Sequence, residues 1–205
     1  MSRSMSIKTR ALEHGDMAEA VDLVARAMLD NPIHVTAFGR DAARREAALH
    51  AMFTAVLGHQ LSRGIVLGLF RGGKLAGVAG MLPPGRCPST LTGKLTAAST
   101  LLLGSGLAQS RRVQAWLEDW AKTDSAVEHW HFGPIAIDSQ LQRTGLGSIL
   151  LRDCCEQMDG EGMAAYLEND KEENLPFFER FAFAVETRHE VLGVPTWFML
   201  RPGRD

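Results

Sequence analysis

Cysteine is scarce in this chain and poorly placed for bridging. There are three: Cys87 stands alone, and Cys154 and Cys155 are adjacent, which is unfavourable geometry for a disulfide. A disulfide scaffold is thereby excluded. No Cys-x-x-Cys or His-x-x-x-His spacing occurs, so no metal is expected. Excess charge of either sign is also missing. Lys+Arg number 22 and Asp+Glu 24, a formal net charge of −2, which gives no electrostatic case for a nucleic-acid partner or a membrane surface. The longest apolar stretch, Leu95 to Ala108, is cut by Thr, Ser and Gly and is too short to span a bilayer. Met1 to Arg10 contains no apolar core of a secretory signal. A reducing, cytoplasmic setting is the expectation. Tyrosine is rarest of all: Tyr166 is the single one.

What is present is the composition of an ordinary globular domain. The chain has 205 residues, 45% of them hydrophobic and 22% charged, enough for one domain over residues 1–205 with a core of its own. Ile7 to Leu12 reads as an opening strand, followed by a turn at Gly15-Asp16 and a helix to about Asp30 that Asn31-Pro32 breaks. A second helix is predicted from about Asp41 to Arg63, with Leu49, Met52, Phe53, Val56 and Leu57 on one face. Two apolar runs, 65–70 and 75–82, flank Arg71-Gly72-Gly73-Lys74, a hairpin signal. The stretch 89–122 reads as two helical pieces broken near Gly104-Ser105-Gly106, a helical insertion expected beside a binding cleft. A strand over 129–137 is interrupted by Gly133-Pro134. A helix over 145–161, a strand over 163–168, a short helix over 174–181 and a closing hairpin over 184–200 complete the chain.

The segment 131–148, His-Phe-Gly-Pro-Ile-Ala-Ile-Asp-Ser-Gln-Leu-Gln-Arg-Thr-Gly-Leu-Gly-Ser, carries the most chemistry. It is a strand, a turn with two glycines, then a helix. Gly145 and Gly147 carry no side chain, so backbone N–H groups of Arg143, Thr144, Gly145, Leu146, Gly147 and Ser148 can converge on one anion. The positive end of the helix dipole points at the same place. A diphosphate suits such a nest. The Gly-Lys-Ser/Thr of a nucleotide-triphosphate loop is absent, and so is the third glycine of a dinucleotide fingerprint.

Gln142-Arg143-Thr144-Gly145-Leu146-Gly147 resembles the Gln/Arg-x-x-Gly-x-Gly/Ala motif of the GNAT superfamily of N-acetyltransferases. Tyr166-Leu167-Glu168, then Asn174-Leu175-Pro176-Phe177-Phe178-Glu179-Arg180 and Phe183, resemble that superfamily's last strand–helix signature. Residues 129–200 are similar to its puromycin N-acetyltransferase branch. Two positions depart: the usual Tyr is Phe178, and the usual Gly before the Phe is Ala182.

The resemblance implies an α/β fold: a mixed, mostly antiparallel sheet, flanked by helices and splayed between two central parallel strands, 129–137 and 163–168. Acetyl-CoA, as cosubstrate, would lie in the splay. Its diphosphate would sit on the loop from Gln142 to Ser148, and its pantetheine arm would pair with the backbone of Ile135, Ala136 and Ile137. Asn174, Phe177, Phe178 and Arg180 would lie along it. Glu168 ends a buried strand and can take a proton from an incoming ammonium; His131 and His129 are rival bases. The implied activity is direct transfer of acetyl to a primary amine of a small molecule, by a monomer or homodimer. Two alternatives stand beside it: a non-catalytic acyl-CoA-binding or regulatory module, suggested by Phe178, and an acetyltransferase acting on a peptide or protein amine.

Overall fold

The computed structural model describes residues 6–86 and 107–204. Seven strands form one sheet: β1 Ile7–Ala11, β2 Ile65–Arg71, β3 Lys74–Leu82, β4 His129–Ile137, β5 Ala164–Asn169, β6 Ala184–Val191 and β7 Val194–Arg201. Their order is β1-β2-β3-β4-β5-β7-β6, antiparallel throughout except for the central β4–β5 pair. This is the expected mixed, mostly antiparallel α/β architecture. One face is covered by α1 Met17–Ala27, α2 Pro32–Phe38, α3 Ala42–Arg63 and α4 Leu107–Thr123. The other is covered by α5 Leu146–Asp159 and the short α6 Leu175–Glu179. The two buried clusters therefore sit on opposite sides of the sheet, as in any half-buried helix layered on a sheet.

Local chemistry explains most elements. Gly72 and Gly73, at φ 60° and 83°, make the tight turn between β2 and β3 that only glycine adopts without strain. Leu49, Phe53 and Leu57 are buried along α3, with Met52 and Val56 at the margin of the same face. The first helix ends before Asn31-Pro32, as expected, and a new helix restarts there. Asn31 is the N-cap of α2, its side chain accepting from the Ile33 N–H, and Pro32 takes the first helical position, where a missing N–H costs nothing. Of the two helical pieces expected in 89–122, the second is α4; the first piece, the break at Gly104–Gly106 and Cys87 lie outside the described residues. Among the described residues, no helix is long and apolar enough to cross a membrane.

Two features of β4 set up the site. Its parallel pairing with β5 covers His129↔Ala164, Trp130↔Ala165 and His131↔Tyr166, and then stops. Beyond His131 the two strands part, and among the described residues the edge of β4 toward β5 has no strand partner. On its other edge, one residue of β3 (Gly80) lies opposite two of β4 (Gly133 and Pro134, joined by a cis peptide), between the pairs Met81↔Phe132 and Ala79↔Ile135. That is a bulge. It shifts the alternation by one, so Phe132 and Ile135 both pack on the α5 side. Gln60 of α3, buried, donates from Nε2 to the Gly133 carbonyl at 2.5 Å. Its amide fills the space a side chain at position 80 would need, which is why β3 carries glycine there.

Candidate active site

The last parallel pair, His131↔Tyr166, marks the fork of the sheet. Side chains two apart on a strand share a face, so His129 and His131 of β4 stand beside Tyr166 and Glu168 of β5. His131 Nε2 lies 3.1 Å from Glu168 Oε2, bridging the two strands where their ladder ends. The Glu168 side chain is 5% exposed and that of His131 17%. The sequence offered these two as rival bases; the fold brings them together as one close pair.

His129 is engaged differently. Its Nε2 is 3.2 Å from Asp124 Oδ1 and its Nδ1 2.7 Å from the Val127 carbonyl oxygen. Burial disfavours its charged form, but the hydrogen bonds it donates to the Asp124 carboxylate and the Val127 carbonyl outweigh that and hold its pKa above the ordinary value. Asp124 is held below the usual carboxylate range, its partial burial being overcome by the same bond to His129.

Tyr166 stands between these groups, with its ring 4.9 Å from that of His129 and 5.7 Å from that of His131. It is fully buried and its hydroxyl donates to the Thr123 carbonyl at 3.0 Å. Burial, then the charges of Glu168, Asp124 and Glu186, push its pKa far up. Its proton is committed to the backbone, so the chain's single tyrosine is packing, not a free acid.

The loop after β4 has the geometry of an anion nest. Asp138 caps a single 3₁₀ turn, Ser139–Leu141, by accepting from the Gln140 N–H. Arg143 at φ 61° and Gly145 at φ 87° both adopt left-handed backbone, and Gly145 is the N-cap of α5. A non-glycine residue held there costs about 1–2 kcal/mol, a strain that clusters at functional loops. Among the described residues, the N–H groups of Arg143, Thr144, Gly145, Leu146 and Gly147 have no backbone acceptor. Two of the expected groups also bond within the loop. The Ser148 N–H donates to the Gly145 carbonyl at 3.1 Å, closing the first turn of the helix. The Gln142 side chain donates to the Ile137 carbonyl at 3.2 Å, bracing the loop against the end of β4. Thr144 Oγ1 likewise returns to the Leu141 carbonyl.

Ile135, Ala136 and Ile137 lie on the β4 segment whose far edge is unpaired; their side chains are core, Ala136 on one face and the two isoleucines on the other. Phe177 of α6 reaches this loop, since a Cβ at Gly147 would lie 3.6 Å from Phe177 Cζ and 3.7 Å from Ile137 Cγ1. Arg180 is exposed, with its guanidinium 5.7 Å from the Phe177 ring centre. Phe178 points the other way: it is 8% exposed and packs on Phe177 and Phe183. Asn174 occupies the N-cap position of α6 but makes no capping bond, its Nδ2 lying instead 3.4 Å from Asn169 Oδ1. Ala182, at φ 66°, occupies the left-handed position after α6, with the Phe183 N–H returning to the Phe178 carbonyl. This is the helix stop that glycine serves best.

Sequence reasoning missed Gln60 and Asp124. No local signal marks either, because each acts on a residue far away in the chain or around a turn.

Comparison with known proteins agrees with this geometry. The structure superposes on a crystal structure described as histone acetyltransferase HPA2 and related acetyltransferase from Corynebacterium glutamicum, with a TM-score of 0.73, 20% identity and 98% of each chain covered. It also matches the ribosomal-protein-S18-alanine N-acetyltransferase of Escherichia coli, at TM-score 0.57 and 15% identity over 98% of this chain and 96% of that one. A third match is a GNAT family acetyltransferase from Brucella melitensis in complex with acetyl-CoA, at TM-score 0.54 and 15% identity over 98% and 91%. These likenesses show the fold. The family model for the Acetyltransferase (GNAT) family matches residues 33–183, most of the chain and all of the site, so the chain belongs to the Acetyltransferase (GNAT) family.

Proposed function

We propose that this acetyltransferase moves an acetyl group from acetyl-CoA to the primary amine of a small molecule, with His131 and Glu168 accepting the amine's proton. The observation that carries the reading is the His131–Glu168 pair, 3.1 Å apart at the point where β4 and β5 separate. The acetyl-CoA complex of the Brucella relative supports the choice of cosubstrate.

The open edge of β4 can hold the pantetheine arm as an added strand, through the backbone of Ile135 to Ile137. The diphosphate then falls on the N–H groups of Arg143 to Gly147, at the positive end of α5. An amine reaches the site largely as ammonium. The carboxylate of Glu168 orients His131, and the pair takes one proton from the ammonium. The freed nitrogen attacks the thioester carbonyl carbon, a backbone N–H next to the bulge supports the developing oxyanion, the C–S bond breaks, and CoA leaves as thiolate, which takes up the nitrogen's second proton through water. Thiols ionise near pH 8.5, so the leaving group needs little help from an acid. That accords with Phe178 at the usual tyrosine position and with Tyr166 being tied to Thr123.

Phe178 also favours a second reading, a module that binds acyl-CoA without transferring it. A small-molecule acceptor is the choice suggested by the likeness of residues 129–200 to the puromycin branch; the alanine N-acetyltransferase among the structural relatives suggests a protein amine instead. Free-thiol release from acetyl-CoA, measured against a panel of primary amines and N-terminal peptides, tests all three. Release with small amines supports the proposal. Release with peptides alone shifts the acceptor class. Tight acetyl-CoA binding with no release from any acceptor overturns catalysis.

A further inference from the structure

We infer that Asp124, His129 and His131 form a binding site for a divalent transition metal of the zinc type, and that filling it switches acetyl transfer off. Its ligands are distinct from those of the acetyl-CoA slot, and it shares His131 with the proposed proton-accepting pair. Each of the three side chains offers one ligand atom, and the three atoms lie within 4.8 Å of one another. Two of them are already at metal-ligand spacing. Bonds of about 2.0–2.2 Å to zinc at tetrahedral angles put neighbouring ligand atoms roughly 3.4 Å apart, and Asp124 Oδ1 is 3.2 Å from His129 Nε2. His131 is third of the set, its ligand atom within 4.8 Å of the other two.

The donor chemistry selects the ion. Two imidazoles and one carboxylate suit zinc, copper or nickel, whereas magnesium and calcium require six or more oxygens. Water completes a fourth position. Access is open from one side: a depression of about 260 Å³, lined by Pro83, Gly85, Asp124, Ser125, Val127 and His129, meets the cluster. The spacing was hidden from a search for His-x-x-x-His, which places two ligands on one face of a helix. On a strand the equivalent spacing is two, and His129-x-His131 has it, with Asp124 brought in by the turn from α4 to β4.

The consequence for transfer rests on the reading given above, in which His131 and Glu168 accept the amine's proton. A neutral imidazole has one lone pair. A metal that takes it from His131 removes the proton acceptor, and it does so without touching the backbone that holds acetyl-CoA. Inhibition is then expected to lower turnover and leave acetyl-CoA affinity unchanged.

Calorimetric titration of the full chain with zinc chloride, and the visible spectrum of cobalt(II) added in its place, test binding independently of activity. Expected are one zinc per chain, the absorption band of four-coordinate cobalt, and at least a tenfold weaker affinity in both Asp124→Asn and His129→Ala. Asp124→Asn, measured against its own metal-free turnover, should need at least tenfold more zinc for half inhibition. Absence of binding, or equal binding in wild type and both variants, overturns the site. Binding that follows the variants while turnover stays unaffected overturns the switch, and points to an error in the role given to His131.

Discussion

Replacing Gly147 by valine sets the fold and the anion site against each other in a way that can be measured separately. A Cβ at this position meets Phe177 Cζ at 3.6 Å, Ile137 Cγ1 at 3.7 Å and Phe177 Cε2 at 3.8 Å. Those are ordinary van der Waals contacts, so alanine fits. Valine adds two methyls, each about 1.5 Å farther out. They must either press into Phe177 and Ile137 or lie over the N–H groups at the start of α5. The first choice overpacks the site, at roughly 1–3 kcal/mol; the second stands where the diphosphate would bind. We expect Gly147→Val to stay folded, with a lowered unfolding midpoint, and to lose at least about tenfold in acetyl-CoA affinity, or ~1.4 kcal/mol. Gly147→Ala should lose much less. Calorimetry reports the affinity and circular dichroism the fold. A folded valine variant that binds acetyl-CoA as tightly as wild type would refute the assignment of this loop.

Two further outcomes follow from the packing. Gln60→Leu removes the donor to the Gly133 carbonyl, a bond worth about 0.5–1.5 kcal/mol, but also removes Gln60 Oε1, which is buried without a hydrogen-bond partner among the described residues. Stability should therefore change by less than ~2 kcal/mol, while turnover falls about tenfold because the bulge beside the thioester is no longer held; steady-state kinetics and thermal melts separate the two. Ala182→Gly relieves the left-handed strain at φ 66°, worth about 1–2 kcal/mol, against about 0.4–1 kcal/mol of added unfolded-chain entropy. A net gain of roughly 0.5–1 kcal/mol is expected in urea denaturation.

The parts legible in the sequence are those encoded within a few residues. The Gly72-Gly73 turn, the apolar face of α3 and the two-glycine entry to α5 each declare themselves locally, and the structure has all three. The α2 helix did not, because Asn-Pro reads equally as a stop and as a cap followed by a first helical residue; Asp170, which accepts from the Ile33 N–H at 2.9 Å, lies too far along the chain to be read beside it. The pairing of His131 with Glu168 was equally out of reach. It depends on the register of a parallel pair, and a slip of one residue would turn Glu168 to the other face. Gln142 and Ser148 look like ligand groups in a motif, yet their bonds go back to Ile137 and Gly145, because a loop must first satisfy its own backbone.

The proposed transfer depends on the proton passing from the amine to the His131–Glu168 pair, and the pH dependence of turnover in Glu168→Gln tests that most directly. With acetyl-CoA saturating and an amine that wild type accepts, the variant should turn over about 10²-fold more slowly near neutral pH. It should regain part of the loss as pH rises, because the amine then arrives already deprotonated, and its acetyl-CoA affinity should match wild type. Turnover equal to wild type across the pH range would contradict the account.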